Sequence, residues 1–276
     1  ERKKYDVVIV ITKKDISLLE TSIEYIRKNL DGNRYICLCS RELQEIVENV
    51  LHCVFLDEDA IFPQMTLEHI RKFFKEKGNN PQRAGWYFQQ FLKMAYSYIS
   101  ETDQYLVWDS DTIPLSHIEY IRDGKYVFMG KKEYHEPYFE VIGKLFKGEV
   151  FRWNQEISFI AENMLINCLY MKEMINSIVS NKELIGDTFY EKILNVIDEK
   201  ELPWSGFSEF ETYGNYMMIK HPGIYDIVKR RALRIGAYIV GYHPQKEQLE
   251  WISKSYEIVS IENKARSRKG VIWQTW

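Results

Sequence analysis

The sequence holds 276 residues, 45% of them apolar and 28% charged, a balance that excludes both a disordered chain and a fibrous repeat. With 37 Lys and Arg against 40 Asp and Glu the net charge is −3, so no overall field favours nucleic acid as a partner. Aromatic residues stand out at 14%: rings fill cores, and a ring face also stacks on the apolar C–H face of a pyranose.

Residues 5–12 form an apolar, β-branched run that reads as a buried strand ending at Thr12. Asp15 can cap the helix that follows, where Ile16, Leu19, Ile23 and Ile26 recur at helical spacing until Asp31, Gly32 and Asn33 stop it. A second strand over 34–39, a helix over 41–50 and a third strand over 52–56 complete an alternation that implies parallel strands with right-handed crossovers. Two helical stretches lie between residues 66 and 100, split by the breakers of 77–81, and a fourth strand covers 104–108. Beyond residue 111 the pattern loosens. Strands are expected near 126–130, 164–167 and 233–240, and helices over 171–179, 189–198 and 208–220. The expected fold is a single α/β domain over 1–261 with a mostly parallel central sheet flanked by helices, Rossmann-like in plan. Residues 1–111 read as a nucleotide-binding half, 112–261 as an acceptor-binding half and 262–276 as a tail.

Asp109 and Asp111 follow the fourth strand directly, where open α/β sheets bind ligands. Two residues apart in extended chain, their carboxylates point the same way and can share a hard divalent cation. The competing reading is a strand-end turn in which each Asp bonds backbone amides. On the helix of residues 83–100, Phe88, Phe91, Leu92, Ala95 and Ile99 make one apolar stripe, while Trp86, Gln89, Gln90, Lys93 and Ser97 gather on the other side. Two amides and an ammonium there suit a nucleotide or a phosphate, and Arg83 at the helix start is a further phosphate candidate. A solvated polar face is the alternative.

Three motifs in order carry a resemblance. They are Gly85-Trp86-Tyr87-Phe88-Gln89-Gln90-Phe91-Leu92-Lys93, Trp108-Asp109-Ser110-Asp111-Thr112-Ile113-Pro114, and Phe207-Ser208-Glu209-Phe210-Glu211-Thr212-Tyr213-Gly214-Asn215-Tyr216. Over roughly residues 5–241 the chain resembles an uncharacterised bacterial family of glycosyltransferases with a GT-A fold and an Asp-x-Asp motif, expected to act in surface-polysaccharide or lipopolysaccharide assembly. The resemblance implies a nucleotide-sugar donor, a UDP-sugar first among them, with Mn²⁺ or Mg²⁺ at Asp109 and Asp111 and a glycan or lipid-linked acceptor. It also implies a further metal ligand late in the chain, for which His243 is the best placed and His221 the next.

The residue readings complete the expected site. Ser208 and Glu211 match a capping box, which leaves Glu209 as the base for inverting transfer, with Glu211 and Glu162 behind it. Thr12, Ser110, His135 and Glu162 join the donor-binding candidates, with a loop histidine bonded to backbone as the alternative for His135. Two rival functions stay open: a metal-dependent phosphohydrolase or nucleotidyltransferase, and a glycan-binding module without catalysis. The four cysteines, Cys37, Cys39, Cys53 and Cys168, lack paired metal-ligand spacing and read as reduced, hence a cytoplasmic protein. The tail, with Lys264, Arg266, Arg268 and Lys269 followed by Trp273 and Trp276, suits peripheral contact with an anionic membrane, or is a solvated charge run.

Overall fold

A computed structural model describes residues 5–262, so all of the expected tail except Glu262 lies outside the described residues. β1 (Tyr5–Val10) is buried at every position, because β2 and β4 pair with it on either side and its side chains are covered on both faces. That is why its apolar residues, interrupted only by Asp6, do not alternate with polar ones. The chain continues through α1 (Ile16–Asn29), β2 (Gly32–Cys39), α2 (Gln44–Asn49), β3 (Val54–Asp57), α3 (Leu67–Glu76), α4 (Ala84–Ala95) and β4 (Gln104–Trp108). The second half holds β5 (Thr112–Pro114), β6 (Ile121–Arg122), β7 (Lys125–Met129), α5 (Glu136–Leu145), β8 (Asn163–Asn167), α6 (Cys168–Ser180), α7 (Phe189–Val196) and α8 (Glu209–Lys220). β9 (Tyr225–Val228), β10 (Ala232–Leu233), α9 (Ala237–Val240), α10 (Lys246–Ile252) and β11 (Ile258–Ser260) follow.

The central sheet runs β3-β2-β1-β4-β8, parallel except for β8, which pairs antiparallel with β4. Strand order reverses between β1 and β4, since β2 and β3 lie to one side of β1 and β4 to the other. A crevice therefore opens beyond their carboxyl ends, at Val10 and Trp108, the usual ligand position of such sheets. Two small sheets, β6-β7-β9 and β10-β11-β5, complete the described residues.

The β10-β11-β5 sheet fixes the Asp109-Ser110-Asp111 loop. β5 leaves that loop and pairs antiparallel with β11, and the Ile261 amide donates to the Asp111 carbonyl at 2.7 Å. Trp108, wholly buried, donates Nε1 to the Thr112 carbonyl at 2.7 Å, while the Asp109 amide donates to the Glu162 carbonyl at 2.9 Å. The residues on either side of the loop are thus held by hydrogen bonds to backbone carbonyls.

The later half departs from expectation at one place and adds detail at two others. Residues 233–240 are not one strand: β10 stops at Leu233 and α9 begins at Ala237, with Gly236 between them lying so close to β11 that a Cβ would stand 2.2 Å from Val259 Cγ2. The polar-aromatic stretch around His135 enters a helix, α5, whose first turn holds Pro137. The strand expected near 126–130 pairs with β9 outside the central sheet.

One buried ion pair ties β1 to β2. Asp6 accepts from Arg34 Nη2 at 2.6 Å, Arg34 Nε at 3.1 Å and the Tyr96 hydroxyl at 3.1 Å, whereas Glu101, on the other side of Arg34, is exposed. Asp6→Ala should cost about 1.5–3 kcal/mol in urea unfolding, the range for hydrogen bonds to a charged group. Glu101→Ala should cost at most about 1 kcal/mol, as an exposed ion pair. Equal losses would deny Asp6 this role.

Candidate functional site

The crevice at the ends of β1 and β4 is a cleft of about 250 Å³. α4 lines it with Trp86, Gln89, Gln90 and Lys93, and Arg83 precedes them. Asp109, Ser110 and Asp111 form its floor beyond β4, and the start of α8 adds Ser208, Glu209 and Phe210. The opposite wall carries Glu133, Tyr134, His135 and Tyr138, with Glu162, Arg234 and Glu262 beside them. The two faces of α4 fall as its sequence predicts: Phe88, Phe91, Leu92 and Ala95 enter the core, and the polar face meets the cleft. Ile99 lies beyond the helix and is 40% exposed, and Ser97, also beyond it, is buried and bonds the Met94 carbonyl.

At the centre Lys93 bridges two carboxylates. Its Nζ donates to Asp109 Oδ1 at 2.7 Å and to Glu209 Oε1 at 2.8 Å, and it stands 4.7 Å from the Phe210 ring centroid. Lys93 is 7% exposed. Burial alone would push its ammonium down, but Asp109 and Glu209 outweigh that and raise it, so Lys93 is charged. The Glu209 amide also donates to Gln90 Oε1 at 3.0 Å, docking the start of α8 on α4. Burial raises the Glu209 carboxyl, and Lys93 reverses this only in part because the negative charge of Asp109 beside it raises the carboxyl further.

A second charge cluster faces this one. Glu162 pairs with Lys131 and, at 3.7 Å, with Arg234; Arg234 in turn holds Glu133 at 2.6 Å and also Glu262. Burial pushes the Glu162 carboxyl up, but the two cations beside it prevail and hold it below the ordinary range. Lys131, Glu133, Arg234 and Glu262 were not found from the sequence. They are scattered over 130 positions, carry no common spacing, and Arg234 fell inside a misread strand.

Other candidates are placed as follows. Arg83 lies 3.9 Å over the Trp86 ring and bonds Ser205 Oγ at 3.1 Å and the Trp204 carbonyl, and His135 Nε2 contacts the Ser205 carbonyl at 2.7 Å. Thr12 does not line the cleft; its amide and hydroxyl donate to Asp15, which does, at 2.7 and 2.8 Å. His243 is exposed ahead of α10 and does not reach the cleft lining, and His221 pairs instead with Glu173.

Glu211 is wholly buried and also stays out of the cleft lining. Only half of the expected capping box forms: the Glu211 amide donates to Ser208 Oγ at 3.2 Å, but the carboxylate accepts from the Phe159 amide at 2.9 Å and Asn215 Nδ2 at 2.8 Å. Those buried donors capture it because they have no water to turn to. α8 can lie this close to Phe159 because position 214 is glycine; a Cβ there would stand 2.3 Å from the Phe159 ring.

Seven carboxylates line the cleft against Arg83, Lys93 and Arg234, so an anionic diphosphate would enter it only with further positive charge. Asp109 and Asp111 fit a divalent metal that keeps waters and takes its remaining ligands from a diphosphate, since Mg²⁺ sites commonly use one or two carboxylates. They do not make a complete protein cage: among the described residues no group of three or more His, Cys, Asp or Glu could hold a metal.

The family described as "Family of unknown function (DUF6492)" matches residues 9–229. No curated protein matches the chain in sequence. Among solved structures, it is similar over 96% of its length to apo mouse xyloside xylosyltransferase 1, at 12% identity, 99% coverage of that chain and a TM-score of 0.49. It is similar over 96% of its length to the apo WbbM bifunctional glycosyltransferase, at 11% identity and a TM-score of 0.49, and spans 46% of that chain. It is similar over 95% of its length to the galactosyltransferase LgtC in complex with donor and acceptor sugar analogs, at 14% identity, 88% coverage of that chain and a TM-score of 0.43.

Burial pushes the Glu211 carboxyl up to about 7 from an ordinary 4.5, with its two hydrogen bonds resisting only in part. A carboxyl raised on folding favours the fold below its unfolded value, and this contribution is lost as pH climbs from 4.5 to about 7. The melting temperature of Glu211→Gln should therefore fall less between pH 5 and pH 8 than that of the wild type. Parallel melting curves would place the Glu211 carboxyl back in its ordinary range.

Proposed function

The chain belongs to the DUF6492 family, a family of unknown function, and we propose that it is a GT-A-type glycosyltransferase that moves a sugar from a nucleotide-sugar donor to a hydroxyl of a glycan or lipid-linked acceptor. One observation carries this reading: a switch-point cleft joins the Asp109-Asp111 corner to the polar, aromatic face of α4 and to the buried Glu209 of α8. The sequence resemblance supports a place in bacterial surface-polysaccharide or lipopolysaccharide synthesis. Among the described residues no helix is long and apolar enough to cross a membrane.

In this reading the donor lies along α4. Trp86, braced by Arg83, offers a face to the base or sugar, and Gln89 offers an amide to the ribose or phosphates. Asp109 and Asp111 would hold Mn²⁺ or Mg²⁺. That ion would supply charge neutralisation for the departing diphosphate, which the acid-rich lining cannot supply itself. The acceptor oxygen attacks the anomeric carbon from the face opposite the phosphate, and the new C–O bond forms as the bond to the β-phosphate oxygen breaks. The hydroxyl proton passes to Glu209, and the nucleoside diphosphate leaves with the bonding pair. A single displacement of this kind inverts the anomeric centre. Glu209 suits the base role better than Glu162, because burial lifts its carboxyl while two cations keep that of Glu162 low.

Thermal-shift screening of UDP-, GDP-, CMP- and dTDP-sugars should single out a UDP-sugar that stabilises the protein only with Mn²⁺ or Mg²⁺, and Asp109→Asn should abolish the shift. Stabilisation that ignores both metal and Asp109 would remove the metal corner from the mechanism. With the donor known, Glu209→Gln should retain donor binding and lose turnover by on the order of 10² or more. The base acts ionised and its carboxyl is raised, so kcat/KM should fall with decreasing pH along a limb above the ordinary 4.5. A profile with no acid limb, or near-normal turnover of Glu209→Gln, would take Glu209 out of the base role.

A further inference from the structure

Lys93 stands where a metal corner leaves little room for a cation of its own. Lysine on a helix ordinarily runs its stem along apolar surface and leaves its ammonium in water. Here Nζ is enclosed, 2.7 Å from Asp109 Oδ1, 2.8 Å from Glu209 Oε1 and 4.7 Å from the Phe210 ring centroid. Asp109 belongs to the loop after β4 and Glu209 to the first turn of α8, so the ammonium is held between elements that cannot shift independently. A divalent ion on Asp109 would bond a carboxylate oxygen at about 2.0–2.6 Å. It would then share that carboxylate with an ammonium already at hydrogen-bond distance. Two cations on one group repel, and the repulsion is screened less in a cleft than in bulk water.

We infer that Lys93 is the resident counter-cation of this corner, an ammonium that keeps Asp109 and Asp111 from taking up a divalent metal until a diphosphate arrives with it. The diphosphate alters the balance twice. Its oxygens complete a coordination shell that the protein leaves partial, and its negative charge offers Lys93 a partner in place of Asp109, since lysine binds phosphate as a point charge. Metal and donor would then enter as one unit, and the corner would stay proof against free metal ions between turnovers. The diphosphate half of this inference rests on the transferase reading; the competition between Lys93 and metal does not.

Mn²⁺ alone is the probe, titrated into the full chain without nucleotide and followed by electron paramagnetic resonance of the free ion. The wild type is compared with Lys93→Met and with the double variant Lys93→Met/Glu209→Gln, which keeps the wild-type net charge and leaves no bare carboxylate at position 209 should the single variant fold poorly. Both variants should bind Mn²⁺ at least about tenfold more tightly than the wild type, because a like charge has left the site. Adding Asp109→Asn to the double variant should cancel the gain. Equal affinities across wild type and variants would overturn the inference, and so would a gain that survives Asp109→Asn. Failure of the transferase reading has a different signature: no nucleotide-sugar stabilises the wild type with Mn²⁺, while the Mn²⁺ comparison among variants still stands or falls alone.

Discussion

The ion pairs of Lys93 set the geometry around which the cleft is arranged. A buried ammonium must be paired, and losing one partner of a buried pair costs more than the pair contributes, because the remaining charge is stranded. Lys93, Asp109 and Glu209 therefore fix one another across three segments, the successive α4 and loop after β4 and the distant first turn of α8. The Gln90 bond to the Glu209 amide repeats the attachment in neutral form. α8 is held from its other side too, through the Glu211 carboxylate and the close approach of Gly214 to Phe159. Little freedom remains for the carboxylate at its N-terminus.

Two of the four glutamates that line the cleft, Glu162 and Glu209, show how much depends on the count of cations around a carboxylate. Glu162 and Glu209 are both nearly inaccessible, at 4% and 5% exposure, and burial acts on both in the same direction. Glu162 faces two cations, Lys131 and Arg234, and is held low. Glu209 faces one cation, Lys93, beside the like charge of Asp109, and is raised. Identical side chains are thereby given different chemical characters by neighbours, the division of labour expected where acid–base chemistry is done.

The first half of the fold was legible because β1 and β4 are buried at every position, so each appears as an apolar run broken only by Asp6 in β1 and by Gln104 at the start of β4, and the bounds of β4 match expectation at both ends. α4 was legible through its helical period, which separated core-facing from cleft-facing residues with two errors, at Ser97 and Ile99. The second half was harder because its strands are short and pair with distant partners. β10 has two residues, and β7 depends on β9 nearly a hundred positions later. Glu211 shows the limit of local motif reading: the Ser-x-x-Glu spacing was present, but buried donors at Phe159 and Asn215 outcompeted the helix cap. The Arg234 cluster left no local trace at all, since pairing among Lys131, Glu133, Glu162, Arg234 and Glu262 exists only after folding.

The pairing of β5 with β11 bears on how the protein is made. The Asp109-Ser110-Asp111 loop is braced by strand residues about 150 positions downstream, and the Asp111 carbonyl is closed by the amide of Ile261. Closing so long a loop is entropically slow, and a ribosome releases the chain N-terminal end first. The parallel strands β1 to β4 can assemble while synthesis proceeds, but the carboxylate corner they present stays unbraced until β11 has emerged. During translation the nascent chain thus carries the strands β1 to β4 before the β11 contacts that complete the bracing of the Asp109-Ser110-Asp111 loop can form.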